Sequence, residues 1–277
     1  MRGAPSFRGF LSSLAARLKL VRYASKLKDK LGFLLWVVLS LQPKTIASRL
    51  PQGLRGKRRA LLSALFFKLT FKVDGVDYAP LSFDNLGLIL PESESWMWRF
   101  LKPRKGNVVL DVGAHVGKYA LRLSREVGEE GLVIALEPHP ETFKALARGA
   151  ALSPFKNIVP LDVAAWNEER RLPLFVGGRA GTHSLKRDFG LGRVEVQAKP
   201  LDKILKELGV NRVDWVKIDV EGAELEALEG MGNALKQYHP KIVIEVGKGN
   251  VERVKRFLKR YGYSMAAIKG TSYFYCV

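Results

Sequence analysis

The sequence predicts an α/β protein, a Rossmann-like sheet preceded by a basic helical extension. Three observations carry this reading. From Asn107 onward, short β-branched runs alternate with segments of helical spacing. A glycine-bearing turn joins the first of these strands to its helix, and most of the positive charge lies before residue 73.

The 277 residues carry 46 Lys/Arg against 27 acids. Residues 1–72 hold sixteen of the Lys/Arg and one acid, Asp29, a net of +15 that leaves +4 for the rest. The charge belongs to an appendage, so the chain divides into an extension, 1–72, and a domain, 73–277. Leu11, Leu14, Leu18 and Val21 recur at three- and four-residue intervals among cations, the spacing of a basic amphipathic helix. The apolar run Leu31 to Leu41 is eleven residues long, whereas a spanning helix needs about 20. A signal peptide fits poorly, because some thirty residues precede that run and no small-residue cleavage motif follows it.

Three readings of the extension stay open. It is a helical cap with a solvated basic face, an attachment to an anionic membrane surface, or a nucleic-acid contact through Arg55, Lys57, Arg58 and Arg59. The last is weakened by the lack of an RNA-binding signature and of interleaved aromatics. The only cysteine, Cys276, excludes an internal disulfide and a cysteine zinc cluster. It fits a reducing, cytoplasmic compartment, peripheral to the membrane if the second reading holds.

The first strand of the α/β part is Val108–Val112, and DVGAHVG leads from it into a helix marked by Tyr119, Leu121 and Leu123. Such a turn lets a ligand approach the backbone, with helix N–H groups facing it. Neither the dinucleotide nor the P-loop glycine spacing is present. A second strand, Leu132–Leu136, ends in Glu137, and an acid at that tip hydrogen-bonds ribose hydroxyls. Together these features specify an adenosyl-containing ligand.

A helix over 141–151 and a strand over 158–163 follow, which puts Asp162, Ala164 and Ala165 at the adenine border beyond the strand's carboxyl end. Two short strands, 172–176 and 194–198, then flank a glycine-rich polar loop that carries Thr182, His183 and Ser184 over the cleft. His183, with an ordinary pKa near 6.5, suits base work. The chain resumes with a strand over 213–219, a helix over 221–234, a strand over 241–246, a helix over 252–261 and two final strands, 263–268 and 272–277. A tight turn joins the last two, so they are antiparallel. Seven main strands with a reversed hairpin differ from a plain dinucleotide fold.

DVGAHVGKYAL, LEPHP, KPLDKIL, WVKIDVEGAELEALEGM and KIVIEVG, taken in this order, resemble the FkbM-type S-adenosylmethionine-dependent methyltransferases over roughly 90–277. The resemblance implies the seven-stranded class I methyltransferase sheet with an antiparallel last strand. It also implies S-adenosyl-L-methionine as cofactor and methyl transfer, usually to oxygen. By the family pattern Asp111, Gly113, Ala114 and Gly117 wrap the methionyl and ribose part, while Glu137 with Pro138 takes the ribose diol. Glu92 matches an upstream glutamate that faces the cofactor's amino end. His115 stands where the family commonly has Asn. Members act on sugars, natural products and other hydroxylated acceptors, so the expected partner is a small-molecule or glycan acceptor.

Methyl transfer requires alignment of donor and acceptor and uptake of the acceptor proton. Asp219, ending the fourth strand, is the leading base or orienting residue, and Glu245 ends the adjacent strand. Glu221, Glu224, Thr182 and Ser184 are expected at the substrate rim, and Glu226 and Glu229 in solvent. A hydrogen-bonded acid pair needs no ion, so no metal is assigned; magnesium held by Asp219 and Glu245 is the alternative. The rival functions are RNA methylation with the extension gripping phosphates, and a non-enzymatic basic binding protein on a vestigial cofactor fold.

Overall fold

The computed structural model describes residues 14–40, 52–178 and 181–277. The chain divides into two compact units, Met1–Pro91 and Glu92–Val277.

In the first unit residues 14–19 are helical and run into a 3-10 turn, Leu20–Tyr23. Of the predicted amphipathic segment, Leu14, Leu18 and Val21 lie there, and Leu11 falls outside the described residues. Helices α1 (Leu27–Ser40) and α2 (Gln52–Phe67) follow, then a hairpin of β1 (Phe71–Val73) and β2 (Val76–Tyr78), then α3 (Phe83–Ile89). Asp74 and Gly75 both take positive φ at the hairpin turn, as a two-residue primed turn requires. The core is aromatic: the rings of Phe33, Trp36, Phe66 and Phe71 meet at centroid distances of 4.9 to 6.2 Å. Asp29 is buried and satisfied, accepting from Lys26 N–H and from the Thr70 hydroxyl at 2.7 Å.

The second unit is built on one sheet. Its strands are β3 (Val108–Val112), β4 (Leu132–Leu136), β5 (Ile158–Leu161), β9 (Trp215–Ile218), β10 (Lys241–Glu245), β11 (Met265–Ala267) and β12 (Tyr273–Cys276). Their order across the sheet is β11-β12-β10-β9-β3-β4-β5. The five strands from β10 to the β5 edge are parallel, and β12 is wedged antiparallel between β10 and β11. This is the class I methyltransferase sheet that the sequence led us to expect. Helices α4 (Ala120–Val127), α5 (Pro140–Leu152), α6 (Leu201–Glu207), α7 (Glu224–Glu229), α8 (Gly232–Tyr238) and α9 (Val251–Lys259) complete the unit. A three-stranded sheet forms from β6 (Ala164–Ala165), β7 (Arg170–Phe175) and β8 (Arg193–Lys199).

Strand alternation sorts the core. Leu110, Val112, Val216, Ile218, Ile242 and Ile244 face one side, and Val109, Val133, Ala135, Trp215 and Val243 face the other. Asp111, Glu137, Lys217, Asp219 and Glu245 continue the second set in steps of two. The same apolar face therefore turns polar at the carboxyl ends of four strands.

The expected helix over 221–234 is two helices. Gly230 separates them, because a Cβ there would lie 2.1 Å from the Trp166 carbonyl oxygen, a backbone approach only glycine permits. The start also moves: Glu221 and Gly222 have positive φ and form a turn ahead of α7.

Candidate active site

The site begins with strand register. Asp111 on β3 stands beside Lys217 on β9, and Glu245 on β10 stands beside Tyr273 on β12. Lys217 is buried in an otherwise apolar strand, with its Nζ 3.3 Å from Asp111 Oδ1, 3.5 Å from Asp219 Oδ2 and donating to the Gly113 carbonyl at 2.9 Å. Desolvation alone would lower its pKa; the charges of Asp111 and Asp219 overcome this and leave it raised. One ammonium thus ties the turn after β3 to the acid after β9.

Burial likewise works to raise the Asp219 pKa, but Lys217, a hydrogen bond with Glu245 and the Tyr273 hydroxyl, donating at 2.8 Å, hold it below the ordinary value. Glu245 moves the other way. Burial and the neighbouring Asp219 charge push it up to about 8, so the two acids titrate as a pair that shares a proton. Glu221 stands at the exposed mouth of this group, with one oxygen within 4.8 Å of one from each of the other two carboxylates. Burial of its carboxyl, with the charges of Asp219 and Glu224, pushes it up to about 7. The triplet has the reach to hold a divalent ion, and Lys217 and Tyr273 already contact Asp219 within it.

The turn after β3 is a shaped surface and not a ring of free amide donors. Gly113 and Ala114 N–H both donate to the Leu136 carbonyl, Gly117 N–H to Ala114, and His115 N–H to Glu137 Oε2. The expectation of N–H groups facing the ligand fails at these four positions. Gly113 and Gly117 have φ of +78° and +88°, and His115 takes +53°. That left-handed conformation, which Asn and His tolerate better than most, accounts for His in a place where Asn is common. The His115 contribution to Glu137 comes from its backbone.

Glu137 accepts His115 N–H on one oxygen and His139 N–H on the other, each at 2.9 Å. Each oxygen keeps a second lone pair. Two acceptors side by side match a vicinal diol, so the tip of β4 suits a ribose. Burial, only partly offset by the two N–H donors, pushes Glu137 up to about 7. Asp111 is fully buried beneath the turn and faces Lys217, which makes it a support for the turn and not a wrapping residue. Pro138 is half-buried beside Glu137, Asp162 is exposed just past β5, and Ala164 and Ala165 are buried in β6.

Five further sequence-based placements change. Glu92 is exposed, whereas Glu94 two residues on reaches the turn, accepting from Lys118 and from the Tyr119 hydroxyl at 2.7 Å. Glu224 turns inward, accepting from Gly222 N–H at 2.8 Å and Asn250 at 2.9 Å, and so clamps the loop behind Glu221. Ser184 is buried and donates to the Glu221 carbonyl at 2.6 Å. His183 accepts Gly177 N–H through Nδ1 and stacks on His139 at 4.1 Å; burial, then the neighbouring His139, lowers its pKa to about 4. It is a neutral packing ring where a base was expected. Thr182 stays half-buried against Gly177, and Glu226, expected in solvent, pairs with Lys186. Glu229 is exposed.

Lys217, Tyr273 and Glu94 escaped the sequence reading. A lysine inside the buried run WVKI, two residues before an acid, was a usable signal for the first. Tyr273 needed the β10–β12 register, and nothing local marks Glu94.

Residues 111–265 match the family model described as the methyltransferase FkbM domain. Among curated proteins the chain is similar to the hexuronic acid methyltransferase AglP of Haloferax volcanii, 28% identical over 168 residues, 60% of this chain and 62% of that one. It is also similar to methyltransferase sdnD of Sordaria araneosa, 25% identical over 169 residues, 50% of this chain and 65% of that one. The matches thus span less than two-thirds of either relative. The crystal structure of a methyltransferase FkbM from Methylobacillus flagellatus KT shares the fold, with a TM-score of 0.50 and 14% identity over 97% of this chain and 60% of that one.

Proposed function

Because the chain belongs to the FkbM methyltransferase family, we propose that it transfers the methyl group of S-adenosylmethionine to a hydroxyl of a small molecule or glycan, with a sugar as the leading acceptor class. One observation carries the reading: a diol-matched acid, a glycine turn and a cluster of three carboxylates lie along the carboxyl ends of adjacent parallel strands, where open α/β sheets bind ligands. Similarity to a hexuronic acid methyltransferase supports the sugar.

The residues fit the cofactor. Glu137 receives the ribose hydroxyls on its free lone pairs, and Gly113 and Gly117 keep the turn open to a close ligand. Ala114 and His115 complete that turn; Glu94 supports it through Lys118 and Tyr119. The bound cofactor supplies an electrophilic sulfonium methyl. Asp219, held anionic by Lys217 and Tyr273, accepts a hydrogen bond from the acceptor hydroxyl and aims its oxygen. A carboxylate held below its ordinary pKa is a weak base, so the proton passes to Glu221, whose pKa near 7 suits the task.

Calorimetry tests the cofactor site. Glu137→Ala weakens S-adenosylmethionine by about 2–3 kcal/mol if the diol is held as described, and unchanged affinity removes Glu137 from the site. Transfer of labelled methyl into fractionated source extract tests the acceptor. Label in glycan or a small hydroxylated compound supports the reading, and label confined to RNA overturns it.

A further inference from the structure

Helix α1 displays an apolar stripe on its outer side. Leu27, Leu31, Leu35 and Val38 are 73%, 60%, 52% and 69% exposed. At intervals of four, four and three residues they lie along one face. The opposite face, Phe33, Trp36 and Val37, is buried in the aromatic core of the same unit, so the exposed leucines are not needed to hold α1 in place. Helical periodicity puts Lys28 and Lys30, both exposed, on opposite flanks of the stripe. Lys19, Arg22 and Lys26 are exposed just before it, and the sole acid between Lys19 and Lys30, Asp29, is buried.

We propose that this face of α1 docks on an anionic phospholipid bilayer, the leucines entering the headgroup boundary while the flanking cations meet lipid phosphates. Aliphatic side chains rimmed by lysines, whose stems can follow the apolar surface up to the headgroups, make the pattern of an in-plane interfacial helix. The mode is interfacial, since among the described residues no helix is long and apolar enough to cross a membrane. Charge decides between this and the other occupants. A second copy would bring the same cations against their equals, with +15 formal charge in residues 1–72 of each chain. RNA would leave the row of leucines facing phosphate, and among the described residues of this unit no aromatic is exposed for a base to stack on.

The proposal does not depend on methyl transfer, and its test reads binding. The full chain is sedimented with vesicles of phosphatidylcholine alone or with about one-third phosphatidylglycerol. It pellets with the anionic vesicles and not the neutral ones, and salt weakens the binding. Leu31→Glu with Leu35→Glu reduces the partition at least ten-fold, and Lys28→Glu with Lys30→Glu does the same. Both pairs keep wild-type circular dichroism, since the altered side chains face outward. Equal pelleting with neutral vesicles, or wild-type partition in both double variants, overturns the proposal. So does RNA retention without vesicle binding, or a wild-type dimer that the leucine variant loses.

Discussion

A side chain on Gly113 would place its Cβ 1.8 Å from the carbonyl oxygen of Asp219. The glycine turn after β3 and the Asp219 end of β9 are thus in backbone contact, and Gly113 also holds φ at +78°. Gly113→Ala meets both the left-handed conformation and that clash, at a cost of about 3 kcal/mol or more. Urea unfolding should show this loss, and turnover should fall further than stability accounts for, because Asp219 is displaced along with the turn.

Removing the Lys217 charge leaves Asp111 buried without its counter-ion. Lys217→Met should cost about 3–5 kcal/mol in urea unfolding, and adding Asp111→Asn should recover part of it. Simple additivity of the two substitutions would show that the ion pair does not couple them.

Asp219 and Glu221 separate by pH. With its pKa raised to about 7, Glu221 is ionised only above that value, so kcat rises through pH 7. Glu221→Gln should lose that limb and about 10²–10⁴ in rate. Asp219→Asn should lose turnover while keeping S-adenosylmethionine affinity within a few-fold. A limb near pH 7 that survives in Glu221→Gln assigns the proton elsewhere, with Glu245 next in place.

The same shift has a stability consequence of definite sign. A carboxyl whose folded pKa lies above its unfolded value stabilises the native state below the unfolded pKa, and this stability is lost as pH rises through about 7. Glu221→Gln should therefore be more stable than wild type above pH 7. The gain is about 1 kcal/mol or less, because the residue stands at the mouth of the site, where solvent screens its partly buried carboxyl. Chemical unfolding at about pH 5 and about pH 8.5, on either side of that midpoint, tests the sign.

His183 should contribute no limb to the pH profile between pH 5 and 8.5, since its pKa is lowered to about 4. His183→Ala should act on loop order and acceptor KM more than on kcat, by loss of its stack on His139. Loss of a kinetic pKa near 6 in that variant would restore it as a base.

Much of this was legible in the chain because strands buried on both faces read as continuous apolar runs. Strands β3, β4, β9 and β10 were found that way, and the short Lys269–Thr271 link fixed the last pair as antiparallel. Glu137 and Asp219 were found because each ends such a run. What local pattern does not encode is direction within a turn. Ser184 lies in a polar loop and Glu224 opens α7, yet both point inward, because carbonyls and amides of the neighbouring turns needed partners that only the folded chain brings near. The break at Gly230 was hidden for a similar reason, since the obstructing atom belongs to Trp166, 64 positions earlier.

The placement of β12 has a consequence for how the molecule comes into being. The strand is interior in the sheet, between β10 and β11, and it brings the hydroxyl that reaches Asp219. Until it inserts, β10 is a bare edge open to strand pairing with other chains, and the acid pair lacks its phenol. Closure of the β10 edge and completion of the acid pair are then one event. A chaperone that shields β10 would be guarding the half-made site as well as the half-made sheet.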